Sequence, residues 1–170
     1  AENVGMALRF MRQNYSFTIG LAILIIVFVM ALAAPLIAPY PPAQINFTDR
    51  LMPPSMLHLM GTNELGQDIF SQVVYGARTS LFIGFLVVSV ATLIGVPIGA
   101  ICGYFGGRVD TLLMRVSDVF LAFPPLLLPI ALAAALGTGL LNAAFALAIC
   151  WFPWYARITR GAVIRIKNEL

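Results

Sequence analysis

The chain has 170 residues, of which 61% are hydrophobic and 10% charged, and its mean hydropathy is +0.94. A soluble domain carries about 25% charged residues because its surface needs them, so a soluble domain is excluded and an integral α-helical membrane protein is indicated. The net charge of +3 is small, and the basic residues do not interleave with exposed aromatics on a polar scaffold, which argues against a nucleic-acid partner.

Residues 1–16 form a short N-terminal segment with Arg9 and Arg12. The apolar run that follows, 17–37, exceeds the about 7–15 residues of a signal-peptide core and reads as a retained first span. About 20 residues at about 1.5 Å each cross a hydrocarbon core of about 30 Å. Pro35 and Pro39, with Tyr40-Pro41-Pro42 behind them, are expected to end it, because proline cannot continue the hydrogen-bond ladder. Residues 38–79 are the one long polar segment, with Asp49, Arg50, Glu64, Asp68, Arg78 and the single His58. Within it Leu65, Ile69, Phe70, Val73, Val74 and Ala77 recur at offsets of three and four. That spacing predicts an amphipathic helix over 64–78, lying on the membrane or a partner, or covering the protein's own spans. His58 reads as a solvated loop side chain rather than a metal ligand.

A second span is predicted over 81–104. Ala91, Gly95, Gly99 and Gly103 recur every four residues, and small residues on one face let another helix backbone come close. That stripe reads as a packing face rather than a pathway lining, and Pro97 is a possible kink. The third span, 112–136, begins with Arg115 and Asp118 in its first two turns. Three residues apart, they suit a structural ion pair or a charge pair at the inner mouth of a pathway. Phe123-Pro124-Pro125 and Pro129 break the ladder, so this span is expected to be bent and buried. After the turn at Gly137-Thr138-Gly139, a fourth span covers 140–156. Residues 119–156 hold no charge, and then Arg157, Arg160, Arg165 and Lys167 follow within eleven residues. Cys102 and Cys150 fall in apolar runs and read as buried thiols, with no disulfide or metal site implied.

Lysine and arginine counts set the orientation. With the N-terminus inside, the inside segments hold eight cations and the outside segments hold Arg50 and Arg78. Both termini are therefore expected in the cytoplasm, and the 38–79 loop outside. No phosphate-binding loop, nucleophile elbow, zinc-helix motif or Cys/His ligand set occurs, so the chain reads as no enzyme and as holding no cofactor or metal. The fold class is an all-α polytopic transmembrane bundle of four spans.

Several stretches then resemble one family. Residues 9–40, ending Pro35-Leu36-Ile37-Ala38-Pro39-Tyr40, are similar to the start of the C-type permease subunits of dipeptide, oligopeptide and nickel ABC importers. Gly61-Thr62-Asn63-Glu64-Leu65-Gly66-Gln67-Asp68-Ile69-Phe70-Ser71-Gln72 and Tyr75-Gly76-Ala77-Arg78-Thr79-Ser80-Leu81 resemble its GTDxLGRDxxSR…YGARxSL signature. Gly103-Tyr104-Phe105-Gly106-Gly107-Arg108-Val109-Asp110 and Asp118-Val119-Phe120-Leu121-Ala122-Phe123-Pro124 resemble its GYxGGxxD and DxxLAFP elements. Tyr155-Ala156-Arg157 with Arg160-Gly161 resembles the approach to its EAA loop. Asn63, Gln67 and Gln72 stand where the family carries Asp, Arg and Arg, so amide hydrogen bonds are expected in place of ion pairs.

The resemblance implies six spans in the family, and a chain that stops before the EAA loop and the last two of them. It implies a multi-pass protein of a bacterial or archaeal cytoplasmic membrane, half of a heterodimeric permease moving peptides by alternating access. Its partners would be a second permease subunit, two ATPase subunits, an external substrate-binding protein and membrane lipid. Residues 80–170 would be part of the transmembrane domain. Phe123, Pro124 and Pro125 become candidates for the translocation path, and Arg157, Arg160, Arg165 and Lys167 for the flank of the ATPase contact or for lipid contact. The alternatives are a nickel importer permease of the same family, and a non-ABC carrier or membrane scaffold. No span-interior charge array or inverted repeat favours a carrier.

Overall fold

Residues 14–169 are described by a computed structural model, and they form two units that divide between Phe82 and Ile83. Arg9 and Arg12 lie outside the described residues. Every regular element among the described residues is helical; an isolated bridge between Thr62 and Asp68 is the one β-type pairing.

In the first unit, α1 spans Tyr15–Leu32 and is apolar all round, with Ala31 its one buried residue. A helix apolar on every face is stable when lipid surrounds it, and its 18 residues reach about 27 Å. The chain then turns at Ala33 and α2, Ala34–Ile37, restarts with Pro35 in its first turn. The first helix does stop just ahead of Pro35, and the short helix that follows stops just ahead of Pro39. Proline suits a first turn, where its missing N–H has no helical partner to lose, so here it begins a helix.

A 3-10 turn at Phe47–Asp49 is capped by Asn46, whose Oδ1 accepts from the Thr48 amide at 3.2 Å. The next helix, α3, runs over Ile69–Phe105 without interruption. The separate amphipathic helix predicted over 64–78 is therefore corrected: residues 64–68 are turn and bridge, and the remainder is the first part of α3. The reason is local. Gly66 has φ +70°, and a Cβ there would run into the Asn46 carbonyl, so the backbone at this point is left-handed rather than helical.

In the second unit, α4 spans Gly107–Ala122, α5 spans Leu127–Leu136 and α6 spans Leu140–Glu169. Phe123 has extended backbone, and α4 and α5 meet at 94°. The residue before a proline is pushed out of the helical region, so the bend falls where Phe123-Pro124-Pro125 predicts one. Within this chain alone, Ser117 in α4 and Pro129 in α5 are its buried residues. Among the described residues α6 packs against both, and one neighbour covers one side only. Pro97 in α3 and Pro153 in α6 are accommodated inside their helices.

By length and apolarity α1 and α3 are each able to cross a membrane, and α4 with α5 make a third span if the bent pair is one. The predicted fourth span is the first part of α6, which continues to Glu169.

Candidate functional site

The glycines of α3 face the backbone of α6. A Cβ added at Gly95 would stand 2.6 Å from the Phe152 carbonyl oxygen and 2.6 Å from the Tyr155 Cβ. At Gly103 it would stand 2.7 Å from the Val163 Cβ, and at Gly99 it would overlap the Ala156 carbonyl. Side chains are absent where the two backbones approach, which is how small residues at four-residue spacing let helices associate where no hydrophobic effect drives them. The opposing side of α6 is small or flat at the same places: Ala148, Phe152, Pro153 and Ala156 are buried. Phe152 also meets Phe120 edge-on, ring centroids 5.2 Å apart, which ties α4 to the same helix.

Two apolar hollows flank this seam. One, of about 450 Å³, is lined by Ile83, Val87, Ala91, Leu126, Leu147 and Tyr155 among others. The other, of about 330 Å³, is lined by Phe120, Pro124, Leu128, Pro129, Cys150 and Trp154. Pro125 and Trp151 border both. Of the three candidate path residues, Pro124 and Pro125 thus line hollows. Phe123 is half-exposed and borders neither. Among the described residues no charged side chain lines either hollow, and the lining is largely apolar apart from groups such as the Cys150 thiol and the Tyr155 hydroxyl.

The charges gather where α6 continues past residue 156. Arg160 grips Asp110 with both ends of its fork, Nε to Oδ1 at 2.5 Å and Nη2 to Oδ2 at 2.6 Å. Arg157 Nη2 donates to Asp118 Oδ1 at 2.5 Å. Lys167 Nζ donates to the Tyr104 carbonyl at 2.8 Å and lies 5.7 Å from that ring's centre. The predicted Arg115–Asp118 pair is therefore corrected. Asp118 is held by Arg157 from another helix, and Arg115 makes no ion pair among the described residues. Arg157 approaches Asp118 from outside its own helix, whereas an i, i+3 partner must reach along the helix surface for a contact worth about 0.2–0.5 kcal/mol. The two α6 pairs differ in strength. The bidentate one has the better geometry, and the Arg157–Asp118 pair, with side chains 48% and 57% exposed, is worth about 0–1 kcal/mol. Arg165 is exposed. Sequence reasoning missed Asp110 as the partner of Arg160; an acid in the first turn of a helix is unremarkable until the helix beside it is known.

In the first unit, residues 40–72 close on a polar centre. Asp68 Oδ2 accepts from the Ser71 amide at 2.7 Å, the pattern of a helix N-cap at the start of α3. Its Oδ1 lies 3.0 Å from His58 Nδ1, and the His58 ring sits 5.0 Å from that of Tyr40. His58 Nε2 is 3.9 Å from Asp49 Oδ2. His58 is 7% exposed, so the expectation of a solvated loop side chain is corrected: the loop folds over it because Asp68 holds one ring nitrogen and Tyr40 covers the ring. The Tyr40 amide donates to Ser71 Oγ at 3.2 Å. Burial pushes the Asp68 carboxyl up, but hydrogen bonds from Ser71 and His58 together outweigh it and hold the carboxyl below its ordinary value.

The amides bond one another. Asn63 Nδ2 donates to Gln67 Oε1 at 2.9 Å, and Gln72 Nε2 donates to the same oxygen at 2.8 Å and to the Pro42 carbonyl at 3.3 Å. Asn63 Oδ1 accepts from the Leu65 and Gln67 amides at 2.9 and 3.0 Å, fixing the turn around Gly66. Thr62 Oγ1 bridges the Met52 amide, at 2.8 Å, and the Asp49 carbonyl. The missed signal was Asp68 with Ser71 three residues on: a short acceptor just ahead of an apolar helical run marks a helix start.

Among the described residues the regular elements are all helical, with two apolar helices long enough to cross a membrane and a proline-broken pair beside them. Residues 95–170 match the family of the binding-protein-dependent transport system inner membrane component, and residues 4–54 match the N-terminal transmembrane domain of oligopeptide transport permease C. A dipeptide transport system permease protein of Haemophilus influenzae is 39% identical over 166 residues, covering 94% of this chain and 56% of the relative. A probable D,D-dipeptide transport system permease protein of Escherichia coli is 40% identical, covering 96% of this chain and 55% of the relative. An oligopeptide transport system permease protein of Bacillus subtilis is 40% identical, covering 95% of this chain and 53% of the relative. The chain belongs to this family of transport permeases, inner-membrane components of binding-protein-dependent systems. It spans about half the length of the curated relatives it matches. Their names are peptide names, which does not favour the nickel alternative.

Proposed function

We propose that this chain belongs to one permease subunit of an ABC importer for di- or oligopeptides, forming half of the translocation pathway with a second permease subunit. The observation that carries this is identity near 40% to peptide permeases over almost the whole chain. The chain crosses the cytoplasmic membrane four times, with the Tyr40–Ser71 cap outside and the cationic part of α6 inside, a reading that the eight-to-two distribution of cations supports. An external binding protein delivers the peptide and two ATPase subunits supply the energy. Phe123, Pro124 and Pro125 make the bent segment beside the path. Its break lets α4 and α5 change angle as rigid pieces, the kind of motion alternating access needs. Arg157, Arg160, Arg165 and Lys167 flank the ATPase contact, three of them by holding the end of α6 in place.

Full-length protein co-expressed with its ATPases and reconstituted into liposomes with its binding protein should take up peptide when ATP is supplied. A stable permease complex that never carries an ATPase, or uptake indifferent to ATP, overturns the reading.

A further inference from the structure

Two ion pairs join α6 to α4, and they are placed differently. Arg160 and its grip on Asp110 lie beside the glycine seam, where the Arg160 carbonyl and Val163 press on Gly103. Arg157 holds Asp118 by one hydrogen bond on half-exposed side chains. Asp118 stands near the end of α4, just before the 94° bend into α5. Arg157 stands four residues past Pro153, whose missing N–H leaves the Ile149 carbonyl without a helical donor. The two aspartates are eight residues apart and the two arginines three, about 12 Å and about 4.5 Å along their helices. The second tie therefore reaches towards the place where α4 ends in the bend and α6 lacks one ladder hydrogen bond, and the first sits beside the close glycine contact.

Arg115 adds a further observation. It lies three residues before Asp118 on the same helix and makes no ion pair among the described residues. At that spacing it stands within reach of the Asp118 carboxylate. Asp118 thus has two guanidinium partners available, one across the helix interface and one on its own helix, and in this structure it uses the first. Asp110 and Arg160, the next charges along the same two helices, are committed to each other.

We infer that Asp118 is a two-position latch: bound to Arg157 it ties α6 to the bent segment, and passed to Arg115 it lets α6 and that segment separate, while Arg160–Asp110 stays closed as the pivot. Arg115, Asp118 and Arg157 are then positioning residues for transport. An exposed single-bond pair suits this because it opens and closes at low cost, and an exchange of partners keeps the carboxylate from being stranded without one. The inference rests on the importer reading given above.

The test uses the full-length protein with its partners, in membranes, with Cys102→Ala and Cys150→Ala as background. Spin labels at Val119→Cys and Ile158→Cys flank the latch without touching it; labels at Val109→Cys and Gly161→Cys flank the pivot. The distance across the latch should fall into two populations whose ratio changes between nucleotide-free and ATP-bound states, while the distance across the pivot stays single. Arg115→Gln should shift the latch towards the short distance even without nucleotide, and lower uptake at least about fivefold, the usual lower range for a coupling between sites. Exchanging the charges, Arg157→Asp with Asp118→Arg, should restore the short distance but not uptake, because Arg115 then repels the residue it must receive. Uptake restored by the exchange would show a merely structural pair and overturn the inference. So would a single latch distance unmoved by Arg115→Gln. Absence of ATP-driven uptake in the wild-type complex would sink the importer reading instead, and the nucleotide-free distances would still decide the latch.

Discussion

The cap around His58 and the seam between α3 and α6 are held by opposite means. In the cap, almost every stabilising contact is a directional polar bond: Asp68 to Ser71 and His58, Asn63 to Gln67, Thr62 to Met52. In the seam the decisive feature is what is missing, a column of side chains at Gly95, Gly99 and Gly103. Water competes for every hydrogen bond, so a polar cap must satisfy its groups by exact placement. Lipid offers no hydrophobic drive between helices, so a membrane seam depends on close approach of backbones. The difference predicts that the seam fails through added volume and the cap through lost partners.

The largest effect is expected at Gly99→Leu, which drives a branched side chain into the Ala156 carbonyl. Overpacking a close contact typically costs about 1–3 kcal/mol, and backbone cannot yield as a side chain does. The yield of folded protein in mild detergent should collapse, whereas Gly84→Leu, with open space around it, should leave it unchanged. Next comes Gly66→Ala in the cap. A left-handed φ of +70° costs an ordinary residue about 1–2 kcal/mol, and the Asn46 carbonyl adds a clash. Limited proteolysis should cut residues 40–68 faster while α6 stays protected; equal protection of the cap would contradict the account.

Asp68→Ala should follow, losing a helix cap worth about 1 kcal/mol together with the His58 partner. This site also has a pH signature. The folded carboxyl titrates below the ordinary value of 3.8, so its contribution is complete above that value and is lost as pH falls through the lower, folded one. Protease sensitivity of the cap should therefore rise only in strong acid, and Asp68→Asn should flatten that rise. The smallest effect belongs to Asp118→Asn. An exposed pair is worth about 0–1 kcal/mol, so thermal stability should hardly move, while Asp110→Asn, in the bidentate pair, should lower it more.

The parts legible in the sequence are those whose chemistry is local. Proline before and within a turn dictates the break at 123–126, and glycine at every fourth position dictates a close helix contact. The parts that escaped depend on what returns from far along the chain. Asp118 has Arg115 as a neighbour in sequence but Arg157, 39 residues on, as its partner in space, and spacing alone ranks the near one first. His58 reads as solvated because it lies in the one long polar segment, and its apolar neighbours Met56, Leu57, Leu59 and Met60 are themselves exposed; Tyr40 and Asp68 close on it from either side along the chain. The hydrophobic spacing over 64–78 was real, but a left-handed glycine and an N-cap inside it decide where a helix can begin.

The central claim is that the polar cap faces the outside of the cell and that the cationic end of α6 faces the cytoplasmic ATPases. Single cysteines at Met56, 95% exposed in the cap, and at Asn168, exposed near the end of α6, test it directly in the full-length protein. With Cys102 and Cys150 replaced by alanine, a membrane-impermeant thiol reagent applied to intact cells should label Met56→Cys at once and Asn168→Cys only after the membrane is opened. Labelling of both from the same side, or of Asn168→Cys alone from outside, would contradict the account.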